Sequence, residues 1–242
     1  MTTVEALASN KLIRSTNKTS LGSAALIAGI GLLIMVIAAP FAELYVFPKL
    51  VDSGNAAETV NNILANKTLF TSAIVGYLIT FICDLVVAWA LYVLLKPVNK
   101  NLSLITAGFR WVYTGIALVA LLNLVTVLRL LNTSNTLSLL QPDQLPIQIM
   151  LSLSAFRTQW HFGLLFFGIH LVLLGYLVFR SKYIPAILGI LLIIAGLGYF
   201  LTSLKPFLFP DIKLDFAEYT FYGELIFMLW LLIKGSRIQE QK

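Results

Sequence analysis

Six stretches of this chain, residues 21–46, 69–95, 103–131, 158–179, 185–204 and 219–234, are apolar over lengths close to or beyond the roughly 20 residues a helix needs to cross a bilayer, the last being the shortest. No other feature restricts the fold as strongly. The expected fold is all-α: a polytopic membrane protein with six transmembrane helices in one bundle over residues 21–234. Residues 1–20 form a cytoplasmic N-terminal tail and residues 235–242 a cytoplasmic C-terminal tail. Breakers divide the spans at Pro48 and Asp52-Ser53-Gly54, at Lys96-Pro97, at Asn132-Thr133-Ser134 and between Ser181 and Pro185. With 59% hydrophobic and 12% charged residues and a mean hydropathy of +0.89, the composition lies far from that of water-soluble domains.

The net charge of +6 comes without a basic run or a basic-aromatic patch, so a nucleic-acid partner is not expected. The basic residues instead orient the bundle. Ten of them (Lys11, Arg14, Lys18, Lys96, Lys100, Arg180, Lys182, Lys234, Arg237 and Lys242) fall on the side of the two termini. Six (Lys49, Lys67, Arg129, Arg157, Lys205 and Lys213) fall on the other, where Asp52, Glu58, Asp143, Asp211, Asp215 and Glu218 offset them. Positive residues accumulate on the cytoplasmic side, so both termini are expected there. The first apolar segment follows about twenty polar residues and approaches full span length, so it reads as a retained helix. The single cysteine, Cys83, lies in an apolar run and carries no information on compartment.

Two outer segments are expected to hold short interfacial helices packed on the bundle. One follows Asp52-Ser53, a candidate cap, and sets Val60, Ile63 and Leu64 on one stripe. The other is 146–156, either interfacial or an extension of span four. A continuous helix from 146 to 179 measures about 50 Å, so a kink or break is expected near Thr158. The small-residue runs AGIG (28–31) and AGLG (195–198) read as close helix contacts rather than an internal transporter repeat.

Ionisable side chains at bilayer depth cost roughly 2.5–3.5 kcal/mol each on the most lenient scale, so they face a partner, a cavity or water. Counted from the cytoplasmic ends at 1.5 Å per residue, Asp84, His170 and Glu224 lie about 15–16 Å deep, and Arg110 about 10 Å deep with a long side chain. Spans two and three are joined by the short loop KPVNKN, so Asp84 and Arg110 are the best candidate ion pair. The alternatives are a pair that only fixes helix register and a four-residue set with His170 and Glu224 that binds a polar headgroup, carries a proton or does acid-base chemistry. An outer layer, Glu43, Arg129, Arg157 and His161, falls about 28–35 Å from the cytoplasmic side and reads as snorkelling and rim pairing.

His161 and His170 are nine residues apart, which points them to opposite sides of one helix at different depths. They share no metal and clamp no haem, and thiolate-type zinc sites lack ligands; no metal or cofactor is expected, although His170, Asp84 and Glu224 form a conceivable ligand set. Phe166-x-x-x-His170 resembles one motif of intramembrane CAAX-type proteases, but their paired-glutamate motif is missing.

The run FFGIHLVLLGYLVFRSKYIPAILGILLIIAGLGYF (166–200), with FAELYVF, AAETVNNILANKTLF, LYVLLKPVNKNLSLITAGFR and ELIFMLWLLIKG, resembles a bacterial family of multispan membrane proteins catalogued as domain of unknown function 4386. The resemblance covers nearly everything after residue 20 and implies a six-helix inner-membrane protein with no assigned activity. The leading expectation is a central polar chamber of Asp84, Arg110, His170 and Glu224 that binds a lipid-like or small polar ligand, with transport as an extension. Tyr45, Trp111, Tyr113, Trp160 and Tyr222 are placed in interface belts or chamber walls. An intramembrane hydrolase or transferase using His170 with Asp84 or Glu224 is the alternative from another class, and a structural or accessory subunit is the third. Expected partners are membrane lipids and that ligand; a homo-oligomer is left open.

Overall fold

The structure, a computed structural model, describes residues 20–132, 144–208 and 220–238, and every regular element among them is a helix. Helix α1 runs Leu21–Leu50, α2 Ala56–Ala65, α3 Lys67–Leu95, α4 Lys100–Asn132, α5 Gln144–Arg180, α6 Ala186–Leu208 and α7 Tyr222–Lys234, followed by a 3-10 turn Gly235–Arg237. Five of these, α1, α3, α4, α5 and α6, are long and apolar enough to cross a membrane; α7, at thirteen residues, is about 20 Å long and falls short of that among the described residues. Large apolar side chains stay exposed down the outer faces, among them Ile37 and Leu44 on α1, Ile82 on α3 and Leu122 on α4. Lipid solvates such a surface and water does not.

The helices meet in chain order: α1 packs on α3, α3 on α4, α4 on α5, α5 on α6, and α6 on α7, which returns to α1. The ring is therefore closed. Its caps are local. Ser20 accepts from the Ser23 amide at 3.1 Å to start α1, and Asn99 accepts from the Leu102 amide at 3.0 Å to start α4. At the end where α1 begins, Tyr183 in the α5–α6 loop donates to the Leu94 carbonyl at 2.6 Å, and burial pushes its phenol up to about 12. The 3-10 turn packs on the start of α1, where a Cβ on Gly22 meets the Ser236 carbonyl oxygen at 2.8 Å.

Glycines set the tightest contact. On antiparallel α5 and α6, Gly168 faces Gly196 and Gly175 faces Gly189, each pair separated by seven residues along its helix. A Cβ on Gly175 lies 2.5 Å from the Gly189 carbonyl oxygen, and one on Gly196 lies 2.7 Å from that of Gly168. Backbones this close exchange dispersion along their length, the main drive for association where the solvent is itself apolar. The AGIG run likewise presses Gly31 onto Val87 of α3 and Gly29 onto Leu232 of α7.

Several expectations change. Segment 146–156 is the extension of span four, one of the two expected alternatives, as the first part of α5, which is α-helical without interruption across Thr158; the expected break is absent, and no Pro or Gly stands at that point of the helix. The cap of α2 is Asn55, whose side chain accepts from the Glu58 amide, because Asp52 is occupied in its own turn with the Gly54 amide at 2.7 Å. The buried stripe of α2 is Thr59, Val60 and Ile63, with Leu64 exposed. Residues 1–19, 133–143, 209–219 and 239–242 lie outside the described residues, and with them nearly all of the expected N-terminal tail, half of the expected C-terminal one and the charges Asp143, Asp211, Lys213, Asp215 and Glu218.

The same substitution is expected to act oppositely at two helical glycines. Gly175→Ala forces α5 and α6 apart and lowers the melting temperature in detergent. Gly108→Ala, whose Cβ meets nothing within 4 Å, leaves it unchanged or raises it by the helix-propensity gain, worth up to about 1 kcal/mol.

Candidate functional site

Arg110 lies inside the ring, 1% exposed, and cannot give up its charge. Its Nη2 and Nε both reach Oδ1 of Asp84, at 2.6 and 2.7 Å. Its Nη1 is 3.3 Å from Nε2 of His170. Because a guanidinium only donates, Nε2 must accept, so Nδ1 carries the imidazole proton and donates to the Thr106 carbonyl at 2.8 Å. Nη2 also donates to the Met35 sulfur at 3.8 Å, and the guanidinium carbon stands 5.2 Å from the Phe167 ring centroid. Asp84 Oδ2 accepts from no described residue.

Local periodicity places these groups. Thr106, Arg110, Tyr113 and Thr114 share one face of α4 at spacings of three and four, and Tyr77 sits two turns from Asp84 on α3. Glu224 on α7, half-buried, lies near Tyr199 of α6 and within electrostatic range of Arg110 and Asp84. Of the four ionisable residues expected to converge, Arg110 holds Asp84 of α3 and His170 of α5, with Met35 of α1 beside them, while Glu224 makes no direct bond to any of the three. Met35, Thr106, Tyr77 and Tyr199 were missed, though the last three sit at readable helical intervals or within an apolar run. Of the five aromatics singled out, Tyr113 and Trp160 turn inward and bond each other (Trp160 Nε1 to Tyr113 Oη, 3.2 Å), while Tyr45, Trp111 and Tyr222 are exposed.

This inner layer is closed: Asp84 and His170 are 0% exposed. Both ring nitrogens of His170 are engaged, which leaves it no lone pair to act as a base or bind a metal. Among the described residues no three of His, Cys, Asp and Glu come close enough to hold one.

The outer layer is organised differently. Pro40 has no amide hydrogen to continue the helix, and the chain passes into a π-helical turn, Phe41–Val46, that carries Glu43. The Tyr77 hydroxyl donates to Glu43 Oε1 at 2.5 Å. Two adjoining cavities open here, sharing Arg157 and His161. The larger, about 350 Å³, is lined also by Val51, Ser53, Met150, Leu153, Ser154, Thr158 and Pro206; the smaller, about 190 Å³, by Glu43, Trp160 and Leu164. Arg157 stands 5.7 Å from the Phe47 ring centroid. Beneath lies an aromatic cluster: Tyr77 packs on Phe156 and Trp160, both at 5.2 Å, and Phe47 stacks on Phe156 at 6.0 Å. Arg129, expected in the same layer, is exposed on α4 and lines neither cavity.

The family described as Domain of unknown function (DUF4386) matches residues 27–235. The chain belongs to this family. A relative from Archaeoglobus fulgidus, bearing the name "Uncharacterized protein", is 38% identical over 168 residues, covering 69% of this chain and 86% of the relative. No solved structure matches.

Breaking the inner pair from one side strands a buried charge. Arg110→Ala is expected to lose on the order of 3–5 kcal/mol, and the double change with Asp84→Ala less than the single one. Detergent melting curves of the two variants check this, and additive losses contradict it. His170→Ala removes the acceptor for Nη1 and is expected to lose about 1–3 kcal/mol in the same assay.

Proposed function

We propose that this family member is a six-span protein of the cytoplasmic membrane, both termini cytoplasmic, that binds a lipid-like or small polar ligand in the outward cleft beside Arg157 and His161. The carrying observation is that Arg157 and Glu43 line one pair of adjoining cavities without pairing with each other. In the absence of an occupant, opposite charges sharing a site close onto one another unless other contacts hold them apart; here Tyr77 takes Glu43 and the Phe47 face takes Arg157.

The sixth span is α7, which closes the ring between α6 and α1 and carries Glu224 to the level of Arg110. Its orientation rests on the basic residues: Lys96, Lys100, Arg180, Lys182, Lys234 and Arg237 belong to the helix ends that gather around the start of α1. The inner layer supports a structural part within this reading. Arg110 is bonded to Asp84 Oδ1 and His170, with only Asp84 Oδ2 left without a described partner, which favours a pin that sets register over the central chamber the sequence suggests. Binding, rather than passage, is the activity that a cleft above a closed layer supports, and the occupied nitrogens of His170 speak against acid-base catalysis through it.

Native mass spectrometry of the protein extracted in mild detergent tests this. A bound mass is expected on the wild type and is expected to be lost in Ser154→Trp, whose indole fills the larger cavity, with the melting temperature retained; equal masses on both, or none on either, overturn it. A green fluorescent protein fused at the C-terminus is expected to fluoresce, and an alkaline phosphatase fusion there to be inactive; the reverse overturns the orientation.

A further inference from the structure

We propose that the outward cleft is selective for a zwitterion carrying a phosphate and a primary amine, the chemistry of a phosphoethanolamine headgroup. This rests on the reading of the cleft as a binding site and specifies its ligand.

Arg157 makes no hydrogen bond or ion pair with any described residue, although it lines both cavities. The ring face of Phe47 fixes one side of its guanidinium, which leaves the planar fork free at its edges. That fork matches two phosphate oxygens at once, and the Ser154 and Thr158 hydroxyls beside it on α5 are further donors. The opposite end of the site has the opposite chemistry. Glu43 has one carboxylate oxygen held by Tyr77, and it lines the smaller cavity with the Trp160 indole. A carboxylate receives an ammonium group by charge, and the indole beside it adds apolar wall.

A simple anion meets Arg157 but is repelled by Glu43, and a simple cation meets the reverse. A molecule with both charges a few bonds apart satisfies both. The two cavities together fall within the roughly 300–1,000 Å³ of small-molecule sites, and they open at the outer ends of α1 and α5, the depth of lipid headgroups. Leu153 and Leu164 supply apolar wall for the first carbons of a lipid glycerol and acyl chain. The same headgroup chemistry also comes as free phosphoethanolamine.

The purified full-length protein is equilibrated in mild detergent with phosphatidylethanolamine or with phosphatidylglycerol of identical acyl chains, and the bound lipid is counted by native mass spectrometry. Wild type is expected to retain phosphatidylethanolamine about tenfold better, the size of one lost charge-assisted hydrogen bond. Arg157→Gln is expected to lower that retention about tenfold, Arg157→Lys to lower it less, and Glu43→Gln, which keeps an acceptor for Tyr77, to erase the preference over phosphatidylglycerol. Melting temperatures of the variants within the range of wild type show that they are folded. Displacement of the lipid by free phosphoethanolamine supports the zwitterion site and assigns recognition to the headgroup alone; resistance to it supports the site in lipid-borne form. Equal retention of the two lipids by wild type, lost in both Arg157→Gln and Ser154→Trp, overturns the ligand class and leaves the cleft a binding site. Retention untouched by Arg157→Gln and by Ser154→Trp, or no retention at all, overturns both.

Discussion

The arrangement of this bundle depends on one charge that cannot be neutralised. A guanidinium carries five N–H donors and no acceptor, so removing Arg110 from water obliges the fold to surround it with acceptors. Asp84 supplies the counter-charge, His170 a lone pair and Met35 a sulfur, with the Phe167 face alongside; Glu224 adds a second carboxylate at longer range. These groups come from α3, α5, α1 and α7. Between helices in lipid there is no hydrophobic drive, so many rotations about each axis are close in energy until a polar requirement separates them. Rotating α3 or α5 about its axis removes a partner from Arg110. The glycine contacts of α5 on α6 then decide how close the helices come, and the polar core decides which faces meet.

Much of this was readable before any coordinates. Span positions follow from hydropathy, and the Asp84–Arg110 pair follows from matched depth and a short connecting loop, because depth along a helix is a linear function of residue number. What was not readable depends on angle and on places where the linear rule fails. The expected break in α5 assumed that a helix cannot much exceed the bilayer, yet a helix of 37 residues, about 55 Å, extends beyond the hydrocarbon when its outer part has α2 to pack on. The outer layer reads from sequence as snorkelling and rim pairing, because depth alone cannot place Glu43 beside His161 and leave Arg129 elsewhere. Of the glycine contacts, AGIG and AGLG were recognised, but the pairs Gly168–Gly196 and Gly175–Gly189 need the antiparallel register that only the folded chain supplies.

Pro40 shows how a local defect creates a site. Its missing amide hydrogen and its ring disrupt the ladder one turn before Glu43, and the wider π turn that follows changes the angle at which the next residues leave the axis. Glu43 thereby meets Tyr77 on α3. The helix then resumes for one turn, and Phe47 lands under Arg157. The cleft's acid and the support for its base both come from this irregular segment. A straight α1 has a different angular register at both positions.

The two polar layers stand in contrast, and the contrast bears on function. In the inner layer the arginine is consumed by its neighbours, whereas in the outer one a second arginine is oriented by an aromatic ring and left without an acceptor. Between them lies a stack of rings, Phe47, Phe156, Tyr77 and Trp160, with Trp160 bonded down to Tyr113 and Tyr113 packed 4.9 Å from Phe167 beside Arg110. Aromatic cores of this kind are close-packed. The proposed cleft therefore rests on a packed base that is tied to the pin. Passage through the protein requires that base and the Asp84–Arg110–His170 contacts to part together, which exposes an unpaired arginine at mid-membrane. Binding in the cleft, as proposed, requires neither, and it uses the Arg157 guanidinium that the fold leaves without an acceptor.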